Sequence, residues 1–176
     1  MKKIINGLLL LTLVIFLTSC DLDIIDDLLE ETSDAEEHVI LIEDLKETGT
    51  FRDGALEHIL EGEINGKGQA TGFHYDQLPT KKGEIIEGTE TSPNEYGVYE
   101  AQVKVGDVEK TSNRGFSSFF PDEWNTQRVV DAINEAYDTK AHLTGNTYEG
   151  ISDDGVSIQM YLDNNDKIIS AFPVYE

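Results

Sequence analysis

"VSIQMYLDNNDKIISAFPVYE", residues 156–176, holds two apolar-rich runs on either side of the polar tetrapeptide Asn164–Lys167. Two short strand-like runs separated by a tight polar turn predict a β-hairpin. Just upstream, "NTYEGIS" (146–152) reads as a further strand. Further back, "VYEAQVKVGDV" (98–108) alternates Val98, Glu100 and Gln102 against Tyr99, Ala101, Val103 and Val105, the period of a half-buried strand. A short strand is expected around Glu84–Glu87. Helical spacing appears in two places. In "RDGALEHILEGEI" (52–64), Ala55 with Ile59 and Leu56 with Leu60 share a face, with Asp53 placed to cap the N-terminus. In "TQRVVDAINEAYDTK" (126–140), Val129, Val130, Ile133, Ala136 and Tyr137 form an apolar stripe. "NRGFSSFFPDEWN" (113–125) reads as an aromatic-rich connection between strand and helix. Helices at the start and middle, with strands dominating the end, predict an antiparallel α+β domain.

The ends of the chain differ in character. "MKKIINGLLLLTLVIFLTSC" (1–20) has two lysines, an apolar run and a small-residue cut site, the layout of a secretory signal peptide. Leu17-Thr18-Ser19-Cys20 resembles a bacterial lipobox, and Cys20 is the only cysteine, so no disulfide partner explains it. Acylated Cys20 would hold the protein to the membrane through buried CH₂ groups, at roughly 0.8 kcal/mol each. The expected organisation is a signal peptide at 1–19, an acidic tether at 20–49 and one folded domain at 50–176. The expected location is the extracytoplasmic face of a bacterial membrane.

The net charge of the whole chain is −22. Without Lys2 and Lys3 there are 11 bases against 35 acids, a net of −24. Asp21–Glu47 carries 12 acids and one base, a net of −11, which leaves −13 for the remainder. Such a body opposes tight nucleic-acid binding, which usually needs a basic face. Lys67, Lys81, Lys82, Lys104, Lys110 and Arg114 cluster in the first half of the domain and could form a local positive rim.

Two of the four histidines, His58 and His74, flank a glycine-rich segment containing Gly66, Gly68 and Gly72. Two imidazoles brought together suit an acid and a base working near neutral pH. Glycines beside His74 leave backbone N–H groups open to an anion. No metal pattern competes, since there is no His-x-x-x-His and no second cysteine. His38 lies in the acidic stretch and is read as inert. His142 follows the long helix and is read as a structural partner of its C-terminal dipole. Phe119, Phe120 and Trp124 are expected in the core or turn packing, and Tyr96, Tyr99 and Tyr161 are read as ordinary strand residues.

Three segments, in order, resemble bacterial EndoU-type endoribonuclease domains. They are "LEHILEGEINGKGQATGFHY" (56–75), "FSSFFPDEWN" (116–125) and "IISAFPVYE" (168–176). The resemblance implies an RNase A-like α+β fold that cuts single-stranded RNA by attack of a ribose 2′-OH on phosphorus, leaving a 2′,3′-cyclic phosphate. It implies His74 as base and His58 as acid, with the two roles exchangeable. It further implies Gly72 N–H on the phosphate and Ser170 on the substrate, with Lys110 a candidate to stabilise transition-state charge. Phe172 stands where the family usually has Tyr, so it can stack on a base but has no hydroxyl. No cofactor is required, and assistance by Mn²⁺ is left open. A toxin role would imply a cognate immunity protein. Two other readings stand beside this one: a catalytically silent EndoU-fold lipoprotein that binds a protein partner, and a generic extracytoplasmic ligand-binding lipoprotein. The oligomeric state is not legible.

Overall fold

The computed structural model describes residues 39–176. Cys20, His38, the signal segment and the first part of the expected tether lie outside the described residues. Val39–Glu176 forms one compact unit. Among the described residues, no helix is long and apolar enough to cross a membrane.

The expected hairpin organises one half of the unit. Strands β7 (Ala141–Thr144), β8 (Thr147–Ile151), β9 (Ser157–Leu162) and β10 (Ile168–Pro173) form an antiparallel sheet in the order β10-β9-β8-β7. Ile158, Met160, Leu162, Ile168 and Ala171 turn inward onto helix α2 (Thr126–Thr139) and the short helix α1 (Ala55–Leu60). Helix α2 buries Val129, Val130, Ile133 and Ala136 of the stripe read from its spacing and Ala132 besides, leaves Tyr137 half-buried, and is capped by Asn125 Oδ1 accepting from Arg128 N–H.

The second half is built on β4 (Tyr99–Val105), whose residues alternate between buried and half-buried as the sequence requires. β3 (Gly83–Ile85) and β5 (Val108–Glu109) pair with its C-terminal part, and β6 (Phe116–Phe119) pairs with its N-terminal part. Phe73, Tyr99, Ala101, Val103 and Phe119 form a second, smaller core. A two-stranded ribbon, β1 (Glu63–Ile64) with β2 (Ala70–Thr71), carries the glycine-rich turn between the two histidines.

Several expectations change here. "FSSF" is a strand rather than part of a connection, because Tyr99–Gln102 of β4 offers it a free edge. Helix α1 spans only six residues. Gly62, at φ 81°, ends it, and Gly54, at φ 80°, stands at its N-cap in place of Asp53. His142 is not at the end of α2. It sits exposed on β7, edge-on to Tyr148, while Lys140 Nζ bonds the Tyr137 carbonyl at the helix end. Val39, Leu41, Ile42 and Leu45, assigned to the tether by sequence, pack against the main core.

Candidate active site

The last carbonyls of helix α1 find their partners outside it, and this brings the two histidines together. In a helix the final C=O groups have no partner within the helix. Here the carbonyls of His58 and Ile59 accept the N–H groups of Phe73 and His74, at 3.1 and 2.8 Å. The chain carrying the second histidine is thereby stitched along the helix carrying the first. The approach is so close that a Cβ on Gly72 would lie 1.9 Å from His58 O, and Gly72 holds φ 73°. Only glycine fits both demands. On the other side of α1, Arg52 N–H bonds Ile168 O at 2.9 Å, tying the helix entry to β10. A register shift between Ile168 and Ser170, after which Ser170 pairs with Tyr161 on β9, lies beside the site.

The result is a cleft of about 660 Å³ lined by His58, Gly72, His74, Lys110, Ser170 and Phe172, which are all six of the catalytic and binding residues expected from the sequence. The two imidazoles sit in opposite surroundings. His74 is 5% exposed, its ring stacked on Phe172 with centroids 5.3 Å apart. Its Nδ1 is 2.7 Å from Ser118 O, so Nδ1–H is the donor and Nε2 carries the lone pair. Burial, followed by the nearby Lys110 charge, holds this imidazole well below its ordinary pKa of 6.5, despite the opposing bond to Ser118. His58 instead has a carboxylate behind it. Glu63 Oε1 lies 3.0 Å from Nδ1, and Nε2 reaches Ser170 Oγ at 3.1 Å.

Lys110 completes the floor. Its Nζ donates to Ser117 Oγ at 2.6 Å, and the Ser117 hydroxyl donates to Gly72 O at 3.1 Å. Burial pulls the ammonium down to a pKa of about 8. Among the described residues Lys110 has no carboxylate within ion-pair reach, and a buried cation so placed is costly unless an anion arrives.

Two expectations about the cleft need correction. Phe73 N–H and His74 N–H are committed to α1, so among the described residues the expected row of bare amides reduces to Gly72 N–H, which has no backbone acceptor. Nor do the basic residues form a rim. Lys81 pairs with Asp76, Lys82 with Glu61 and Lys104 with Glu84, at 2.7, 2.7 and 2.8 Å, and of the six only Lys110 lines the cleft. Among the described residues no group of three or more His, Cys, Asp or Glu could hold a metal ion.

Sequence reasoning passed over four residues. Glu63 has a spacing signal, five residues after His58 and on the strand that returns past the helix. Tyr161 could be found from the hairpin, because its register sets it opposite Ser170. Ser117 and Ser118 carried none, since their roles depend on the pairing of β6 with β4.

Residues 52–175, which contain the whole of this cleft, match the family model for bacterial EndoU nuclease. The chain belongs to the bacterial EndoU nuclease family. A Bacillus cereus protein named "Toxin" is 52% identical over 133 residues, which cover 76% of this chain. The match takes in 24% of that relative's length, so the chain spans about a quarter of a much longer protein. No solved structure matches. The α+β arrangement with its antiparallel sheets is an EndoU-like one, and the motif segments read from the sequence fall inside the matched region except for the terminal Glu176.

Proposed function

We propose that this EndoU family member is an exported RNA endonuclease of toxin type that cleaves by 2′-OH transesterification. The observation that carries the reading is the contrast between two imidazoles on one cleft. A buried ring kept neutral, with its tautomer fixed by Ser118, suits proton abstraction. A ring backed by Glu63 suits proton donation, because the imidazolium then has an ion-pair partner. His74 Nε2 takes the proton from the 2′-OH as its oxygen attacks phosphorus. His58 Nε2–H delivers a proton to the departing O5′. The products are a 2′,3′-cyclic phosphate and a 5′-hydroxyl end. Lys110 and Gly72 N–H face the charge that builds on the non-bridging oxygens. An arriving phosphate also relieves the cost of the buried Lys110 ammonium and favours a proton on His74 during the transfer.

The toxin role draws on the name of the Bacillus cereus relative, and it carries with it an immunity protein that guards the producing cell. Lipid attachment through Cys20 and an extracytoplasmic location extend the same proposal, resting on the lipobox-like Leu17–Cys20. The purified chain is incubated with single-stranded RNA and the ends are analysed. Cyclic phosphate ends from the wild type, and at least a ~10²-fold loss in His58→Ala and His74→Ala, are expected. Equal cleavage by all three proteins removes the proposal. Incorporation of labelled fatty acid, lost in Cys20→Ser, checks the anchor.

The pairing of Lys81, Lys82 and Lys104 with acids favours a second reading, a silent EndoU-fold lipoprotein that holds a protein partner. It requires that no RNA be cut under any condition.

A further inference from the structure

A second recess, of about 310 Å³, adjoins the cleft and shares His58, Tyr161 and Ser170 with it, but not His74. Its remaining walls are Arg52, Asp53, Gly54, Glu63 and Ile169. The recess therefore opens on the side of the proposed acid, away from the proposed base. In the reaction above, the atom that leaves beside His58 is the O5′ of the downstream nucleotide. The ribose of that nucleotide must continue from His58 in the direction away from His74, and the recess is what lies there.

Its chemistry matches that occupant. Tyr161 forms part of one wall, an aromatic residue of the kind on which a base or ribose packs. Arg52 supplies the cation. Its backbone is pinned, with N–H to Ile168 O at 2.9 Å and its carbonyl accepting from Ala55 N at 3.0 Å, while its side chain is exposed. Among the described residues Arg52 enters no ion pair within 4 Å, unlike Lys81, Lys82 and Lys104. The acids facing it are Asp53 and Glu63 in the recess and Asp163 beyond it. Glu63 is engaged by His58, so the forked guanidinium keeps donors to offer a phosphate in two-point contact.

We propose that this recess is the subsite for the nucleotide 3′ of the cleaved bond, with Arg52 gripping the phosphate that follows it. The substrate is then an RNA chain running past the scissile bond rather than a dinucleotide. This rests on the nuclease reading, and the following experiment separates the two. The full chain is given a set of dinucleoside monophosphates covering all base pairs of neighbours, and the same set bearing a 3′-terminal phosphate. In the wild type the added phosphate raises kcat/KM about tenfold, the worth of one charge-assisted hydrogen bond. In Arg52→Gln the ratio between the two sets falls close to one, and in Arg52→Lys it is intermediate. A wild-type ratio near one, or a tenfold ratio retained in Arg52→Gln, overturns the subsite and leaves the nuclease reading standing. Turnover of neither set by a wild type that still cuts longer single-stranded RNA overturns the subsite, and failure to cut either set or longer RNA overturns both. A thermal melt of each variant confirms that an exposed side chain has been changed without loss of fold.

Discussion

The Glu63 carboxylate lies 3.0 Å from Nδ1 of His58 and comes from the strand immediately after His58's own helix. This short return fixes the ring with Nε2 toward Ser170. Replacing Glu63 by Gln keeps a hydrogen-bonding group and removes the charge. We expect kcat to fall about tenfold to a hundredfold with KM little changed. A wild-type kcat in this variant would show that the carboxylate plays no part in proton delivery.

His74 ties stability to acid. Its folded-state pKa lies well below the unfolded value near 6.5, so the native state binds fewer protons. Its contribution is intact above about pH 6.5 and drains away as pH falls below that value. Urea midpoints taken from pH 7.5 to 5 will decline for the wild type. They will decline less steeply for His74→Leu, because that variant no longer resists a proton in the core. Parallel slopes would refute the account.

Lys110 works in the opposite sense to a paired lysine. Its pKa of about 8 lies below the free value near 10.4, so its charge destabilises the native state below pH 8. That cost is relieved as pH rises through the interval between the two values. Lys110→Met is expected to gain about 1–3 kcal/mol at pH 7, to lose the gain by about pH 10.5, and to cleave RNA more slowly. Chemical denaturation at the two pH values, beside an RNA cleavage assay, checks all three outcomes.

Two glycines are held by close backbone approach. A Cβ at Gly72 would meet His58 O at 1.9 Å, and one at Gly150 would meet Ala136 O at 1.9 Å. Gly72→Ala and Gly150→Ala should each lose at least about 3 kcal/mol or fail to fold. Gly66→Ala, with nothing within 4 Å of the new methyl, should stay within about 0.5 kcal/mol of the wild type. Equilibrium unfolding of the three variants would distinguish packing from a general intolerance of alanine.

Much of the fold was legible because its signals are local. The stripe of α2, the alternation along β4 and the polar turn between β9 and β10 each lie within a single run of residues. β6 was not, since "FSSF" has no alternation of its own and becomes a strand only by pairing with β4. The short ribbon β1–β2 was hidden among glycines for the same reason. At the site, the residue types were readable, whereas the partners that tune them were not. Ser118 O reaches His74 across 44 residues, and Ser170 reaches His58 across 112.

The amino-acid order alone determined the α+β class, the pair of histidines and the family motifs, because each depends on composition or spacing over a few residues. It could not determine which histidine is buried, or that three lysines would be neutralised by nearby acids. Those are electrostatic properties of an interior, and a side chain's dielectric surroundings and charged neighbours exist only after distant strands have closed around it.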